Sequence, residues 1–251
     1  MRKIHSLYFR NIADIYRNYV ELNFKRLTNS PNSTDIEDLR RKFEEFIPEN
    51  SGTFPLVVLI GGVAGSGKSS FINFCRDHMA GVFEESTVDC CRVIASYMSE
   101  LEGPDNVVFQ SAISQKTEGY RTLLSKLKKI WCEFDDGPNT ITIQSIKCIW
   151  ENEPSASVVF VNVREPSQIE HLKKRIECEM DAVVLTLAVL RNGPDESMNE
   201  SDQHTLEYAY DLWIKNSMCL EDLEIAAIHF CNSIDLTNKS IGILCNDLAV
   251  D

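Results

Sequence analysis

Eight consecutive residues, Gly62-Val63-Ala64-Gly65-Ser66-Gly67-Lys68-Ser69, carry the clearest chemistry in the chain. They satisfy G-x-x-x-x-G-K-[ST] in full, and each fixed position has a physical reason. Gly62, Gly65 and Gly67 let the backbone bend until successive N–H groups converge on one anion. A helix that starts where such a turn ends adds the positive end of its dipole. Lys68 would neutralise the β- and γ-phosphates of a nucleotide, and the Ser69 hydroxyl would be a ligand for Mg2+. Val63, Ala64, Ser66 and Ser70 complete the stretch expected to line the nucleotide.

Such a turn works only between a strand and a helix, and the flanking sequence supplies both. An apolar run at 54–60 precedes it, and Ser69-Ser70-Phe71-Ile72-Asn73-Phe74 begins a helical segment after it. Further strand candidates are 81–88, 158–163, 182–190 and 210–214. Three of the five are largely apolar on both faces, the pattern of a parallel sheet covered on each side by helices. Between them, residues 116–134 place Tyr120, Leu123, Leu124, Leu127, Ile130 and Trp131 on one side of a helix. Residues 166–178 form a shorter helix with Pro166 in its first turn. The expected fold is α/β: three layers in the manner of phosphate-loop kinases, with a five-stranded, mainly parallel sheet.

The first fifty residues differ in pattern and are expected to form a helical N-terminal extension, 1–50, ahead of a main domain, 51–251. Tyr8, Ile12, Ile15, Tyr19 and Leu22 recur at steps of three and four and predict one apolar stripe. Thr34 and Glu37 fit a capping box, with Ile36, Leu39, Phe43 and Phe46 facing one way on a second helix. These stripes need cover, either on the main domain or through a homodimer that pairs the N-terminal helices.

Composition narrows the partners. The 251 residues carry 25 Lys/Arg against 38 Asp/Glu, a net charge of −13, which argues against binding a nucleic-acid backbone. The first fifty residues hold nine Lys/Arg and eight Asp/Glu, leaving 16 against 30 in the remainder, so an anionic ligand must be met by a few well-placed cations. Nine cysteines form no C-x-x-C pair, and the count is odd. With no apolar run of signal-peptide or membrane-spanning length, a cytoplasmic protein with free thiols and no membrane association is expected. The five histidines show no metal-ligand spacing, so a metal is expected only with the nucleotide. Trp131 and Trp150 are expected in the core.

What the nucleotide is used for rests on other residues. Guanine recognition through N-K-x-D is missing, since Asn238-Lys239-Ser240-Ile241 lacks the Asp, and no D-x-x-G follows the loop. A motor ATPase would end an apolar strand in Asp-Glu, whereas 158–163 is followed by Arg164-Glu165. A small kinase needs arginines from several segments to bring two anionic substrates into line. Arg121 sits on the helix after the second strand, and Arg164 and Arg191 sit at the carboxyl ends of the third and fourth. Ligands of open α/β sheets bind at such ends.

The segment Lys116-Thr117-Glu118-Gly119-Tyr120-Arg121-Thr122-Leu123-Leu124, continuing to Asp136-Gly137-Pro138, resembles the acceptor side of phosphate-loop nucleoside and deoxynucleoside monophosphate kinases. Val163-Arg164-Glu165-Pro166-Ser167-Gln168-Ile169-Glu170 is similar to the V-R-x-P-x-E-x-E element of phage-type deoxynucleotide kinases. The closing block, with Tyr210-Asp211, Ile214-Lys215-Asn216, Leu220 and Leu223, also resembles dephospho-CoA kinases. The resemblance covers about residues 55–224. It implies ATP and Mg2+ as cofactors, a nucleotide and a small phosphorylated acceptor as partners, and a short lid at 192–200. By position, Arg121 and Asp89 fall on the acceptor side, Arg164 at a strand end and Arg191 at the lid border. Lys68, Arg164 and Arg191 would be catalytic. Asp89 is equally well read as a helix N-cap, and Asn162 stands where the phage enzymes carry Asp. A reading of another class is a regulatory ATPase that keeps the kinase fold as a switch.

Overall fold

The computed structural model describes residues 2–29, 55–101, 117–180, 182–191, 204–217 and 219–248. The second N-terminal helix and the 192–200 lid lie outside them. Contacts divide the chain into two compact units. One joins Met1–Glu84 with Glu153–Asp251, and the other is Glu85–Asn152.

In the first unit the order is α1 (Arg2–Thr28), β1 (Leu56–Gly61), α2 (Lys68–His78) and β2 (Val82–Ser86), whose last residues enter the second unit. The second unit holds α3 (Asp89–Leu101), α4 (Glu118–Asp135) and α5 (Gly137–Asn152). The chain then returns through β3 (Val158–Asn162), α6 (Pro166–Glu179), β4 (Val183–Arg191), a short 3-10 turn (Thr205–Glu207), β5 (Leu212–Asn216) and α7 (Leu220–Leu248).

The strands form one five-stranded parallel sheet in the order β2-β3-β1-β4-β5. All five expected strands are present, and the sheet is parallel throughout. β1 is central: Leu56 pairs with Val158 on one side and Val183 on the other. After β1 the chain crosses to β2 and returns to β3 on the same side; β4 then starts the other side. The carboxyl end of β1 is therefore a topological switch point, where open α/β sheets leave a crevice.

Burial of both faces explains the Val/Ile/Leu-rich strands. Leu56, Val58 and Ile60, with Val158, Phe160, Val183, Leu185, Leu187 and Val189, join Phe71, Ile72 and Cys75 of α2 and Leu223, Ala227, Phe230, Cys231 and Ile234 of α7 in one core. Phe71 meets Phe160 and Phe230 edge-on, with ring centroids 6.2 and 5.6 Å apart. The alternate residues Val57, Leu59, Val159, Val161 and Val184 are equally buried on the opposite face. Helix α6 contacts β4 and buries Ile169, Leu172 and Ile176 outside the first core. Helices on both sides of the sheet match the expected three layers.

Helix α1 corrects one expectation. The face that enters the core is Tyr16, Val20 and Phe24, packed with α7, and three residues of the predicted stripe are turned outward, Ile15 43%, Tyr19 37% and Leu22 63% exposed. Steps of four along 16, 20 and 24 make an equally regular stripe, and the choice between the two is made by the elements α1 packs on, chiefly α7. The Tyr16 hydroxyl donates to Asn238 Oδ1 at 2.8 Å, and Asn23 Nδ2 to Thr237 Oγ1 at 3.2 Å. These polar contacts, with Arg17 donating to Glu177 Oε1 at 2.6 Å and to the Val184 carbonyl at 3.2 Å, hold α1 in this rotation.

In the second unit Tyr120 and Leu124 are buried with Cys91 and Ala95 of α3. Thr117 caps α4, its hydroxyl accepting from the Tyr120 N–H. Ile130, expected on the buried side, is 65% exposed, and Lys128 is buried in the same helix. Trp131 is partly buried against this cluster and lies over Gly137.

Candidate functional site

The 62–69 loop leaves the carboxyl end of β1 and runs directly into α2. Two of its glycines are demanded by geometry. Gly62 has φ +134°, and a Cβ there would stand 2.4 Å from the Val189 carbonyl oxygen of β4. Gly67 has φ +101°, and its Cβ would stand 2.5 Å from Asn216 Nδ2 of β5. Both conformations are left-handed, costly for any residue with a side chain. The loop is thus held between the ends of two strands.

Ser66 is fully buried, and each of its polar groups is used. Its N–H donates to the Val63 carbonyl at 3.2 Å, its carbonyl accepts from Asn216 Nδ2 at 2.8 Å, and its hydroxyl lies 3.4 Å from Lys68 Nζ. Ser66, expected to line a nucleotide, holds the loop together through these bonds. Lys68 Nζ also donates to the Gly62 and Val63 carbonyls at 2.6 and 2.8 Å, so its ammonium lies within the curve of the loop. Val63 is buried, Ala64 and Ser70 are half-buried, and Gly65 and Ser69 are exposed. No side chain caps the α2 N-terminus, where Gly67 is the N-cap. First-turn N–H groups have no intrahelical acceptor, so this end favours an anion.

Arg191, the last residue of β4, reaches the loop from the side: its Nη1 is 3.5 Å from where a Cβ of Gly65 would be. Arg164 follows β3 by two residues and is half-buried, with Val163 N–H donating to the Ile60 carbonyl at 3.2 Å. Tyr210 lies under the root of the loop, its hydroxyl donating to the Thr205 carbonyl at 3.0 Å, with burial raising its pKa. Asn162, at the end of β3, donates to Glu84 Oε1 at 2.8 Å, and Arg76 Nη2 donates to Glu84 Oε2 at 3.1 Å. The carboxylate near this strand end is therefore Glu84, from β2.

Asp89 and Arg121 belong to the second unit. Asp89 is the first residue of α3, not its N-cap, and pairs with Arg92 one turn along. Arg121 is exposed in the first turn of α4. The same unit carries a feature outside the expected site. Cys90 and Cys91 Sγ atoms are 4.0 Å apart in the first turn of α3. That contact draws the Cys90 thiol down to about 7 and pushes Cys91 well up, burial raising Cys91 further; the nearby Lys128 charge opposes the rise in Cys91.

Sequence reasoning reached the loop, Lys68 and Arg191 because each is marked by residue type or by a strand end. It did not single out Asn216, Ser66 as a keystone, Glu84 or Tyr210. Asn216 and Tyr210 entered only as members of the closing block of the resemblance, with no role of their own. No helix among the described residues is long and apolar enough to cross a membrane. Among them, too, no group of three His, Cys, Asp or Glu could hold a metal ion, so no protein-only metal cage is found there. No protein-family model matches the chain, and no curated protein matches it.

Proposed function

We propose that this protein is an ATP- and Mg2+-dependent phosphotransferase acting on a small phosphorylated acceptor, with a nucleoside or deoxynucleoside monophosphate the favoured one. The observation that carries the reading is the 62–69 loop. It joins a central parallel strand to a helix N-terminus at the switch point of the sheet, with Lys68 curled inside it. A glycine cradle too tight for Cβ atoms, an uncapped helix end and an exposed Ser69 hydroxyl fit a polyphosphate with its metal. ATP·Mg2+ would supply the phosphoryl group.

The residues of the chain then have separable tasks. Main-chain N–H groups of the loop and the first turn of α2 hold the phosphates, and Lys68 exchanges loop carbonyls for phosphate oxygens. Ser69 offers its hydroxyl to the metal. Arg191, already beside Gly65, is placed to neutralise charge at the transferring group, and Arg164 takes the same role from β3. Arg121 and Asp89, on the second unit, would contact the acceptor.

A regulatory ATPase that uses the same loop as a switch is the second reading. It is favoured by one observation: the Asp89 carboxylate is already paired with Arg92. ADP release measured against a panel of nucleoside monophosphates and dephospho-CoA separates the two. Acceptor-dependent turnover supports the kinase. Tight ATP binding with no acceptor stimulation supports the switch, and the absence of ATP binding removes both.

A further inference from the structure

We infer that Asn216 is a positioning residue that sets the direction of a loop N–H, by fixing the Ser66–Gly67 peptide from the end of β5. The inference rests on the phosphate-binding reading of the loop. Asn216 Nδ2 donates to the Ser66 carbonyl at 2.8 Å, a bond between residues 150 positions apart. A peptide unit is planar, and in the trans form its C=O and N–H point in opposite directions. Holding the Ser66 carbonyl toward β5 therefore directs the Gly67 N–H to the other side of the peptide plane. Anion-binding loops depend on this property, since one reversed peptide replaces a donor with an acceptor facing the phosphate.

This peptide needs an external hold. Gly67, at φ +101°, has no Cβ to restrict rotation about the bonds beside it. The missing Cβ is also what admits Asn216, whose Nδ2 occupies that space at 2.5 Å. The rest of Ser66 is committed to Val63 and Lys68, so Asn216 is the partner that comes from outside the loop's own residues. Its reach is set by the sheet, because Asn216 is the Cα partner of Arg191 at the end of the β4–β5 ladder.

The test uses the full chain with Asn216→Leu, a neutral isostere without the donor, and Asn216→Asp, an isostere that repels the carbonyl. ATP·Mg2+ affinity is measured by calorimetry, and amide exchange is followed on peptides covering 61–70. Loss of one hydrogen bond's worth of orientation should weaken ATP binding roughly 3- to 15-fold in Asn216→Leu. Asn216→Asp should bind more weakly still, and the loop amides of both variants should exchange faster than wild type without nucleotide. A purely packing role predicts the reverse for the isosteres: unchanged affinity and unchanged loop exchange. That result would overturn the inference. If wild-type protein binds no ATP, the phosphate-loop reading fails; the nucleotide-free exchange then still decides whether Asn216 fixes the loop. A variant that melts well below wild type is replaced by Asn216→Ser, which can donate only from a shorter side chain. Wild-type loop exchange in it would equally count against the inference.

Discussion

Arg191 and Asn216 stand opposite one another on the last described rung of β4 and β5, and from there they address the same loop at two points. Arg191 Nη1 comes to 3.5 Å from the Cβ position of Gly65, while Asn216 Nδ2 holds the Ser66 carbonyl at 2.8 Å. Partners on adjacent strands project to the same face of a sheet, and this is the α2 side, shared with Val189 and Ile214. One rung thus brings a cation and a hydrogen-bond donor to a turn whose residues lie more than 120 positions earlier in the chain.

Lys68→Ala should abolish turnover without unfolding the protein. The ammonium meets the Gly62 and Val63 carbonyls and is only half-buried, so little core packing is lost. ATP-dependent activity should fall by at least ~100-fold. The nucleotide-free melting temperature should stay within about 3 °C of wild type. Activity assays and a thermal melt on the same sample check both. Retained activity in a folded variant would show the loop to be a structural turn.

The rotation of α1 predicts opposite outcomes for neighbouring positions. Tyr16→Phe leaves Asn238 Oδ1 without its buried donor and should cost about 1–2 kcal/mol. Phe24→Ala, emptying a core position, should cost about 3 kcal/mol or more. Leu22→Ala, on the exposed side, should stay within about 0.5 kcal/mol. Urea unfolding of the three variants distinguishes this face from the alternative stripe.

Among the thiols whose surroundings are described, Cys90 should be the fastest to alkylate near neutral pH. The exposed Cys148, Cys178 and Cys219 offer easier access but lack its neighbour. Iodoacetamide labelling followed by peptide mass analysis should give Cys90 a rate profile with a midpoint about 7. Cys91→Ala should move that midpoint upward and slow labelling at pH 7 several-fold, because the thiol contact it removes is the largest cause of the depression.

His229 should make the protein weaker in mild acid. It is buried on α7, neither ring nitrogen has a hydrogen-bond partner among the described residues, and burial lowers its pKa below the ordinary 6.5. The unfolded chain takes up a proton near 6.5 while the folded chain does not. Stability from this residue is thus present above that pH and is lost as pH falls toward the lower folded value. His229→Leu should flatten the pH dependence of urea unfolding below pH 6.5. At pH 7.5 it should be neutral or stabilising by about 1 kcal/mol.

Local sequence determined the elements. The runs that became β1, β3 and β4 are apolar, rich in β-branched residues and bounded by turn residues, the pattern of buried parallel strands. The glycines at 62, 65 and 67 mark their turn because a left-handed backbone favours glycine, although Asp136 adopts it too at the end of α4. What tertiary structure decided is everything that depends on a second element. Periodicity allows α1 two stripes, and the elements it packs on, chiefly α7, select Tyr16, Val20 and Phe24 over Ile15, Tyr19 and Leu22. Residue type says nothing of Asn216's task, which exists because β5 ends beside a loop attached to β1, with β4 between them. Lys128 looks like a solvent residue on a charged helix, yet α4 turns it inward. Spacing along one element is a property of the chain itself, whereas the face it buries and the partner it meets depend on which distant segment packs there.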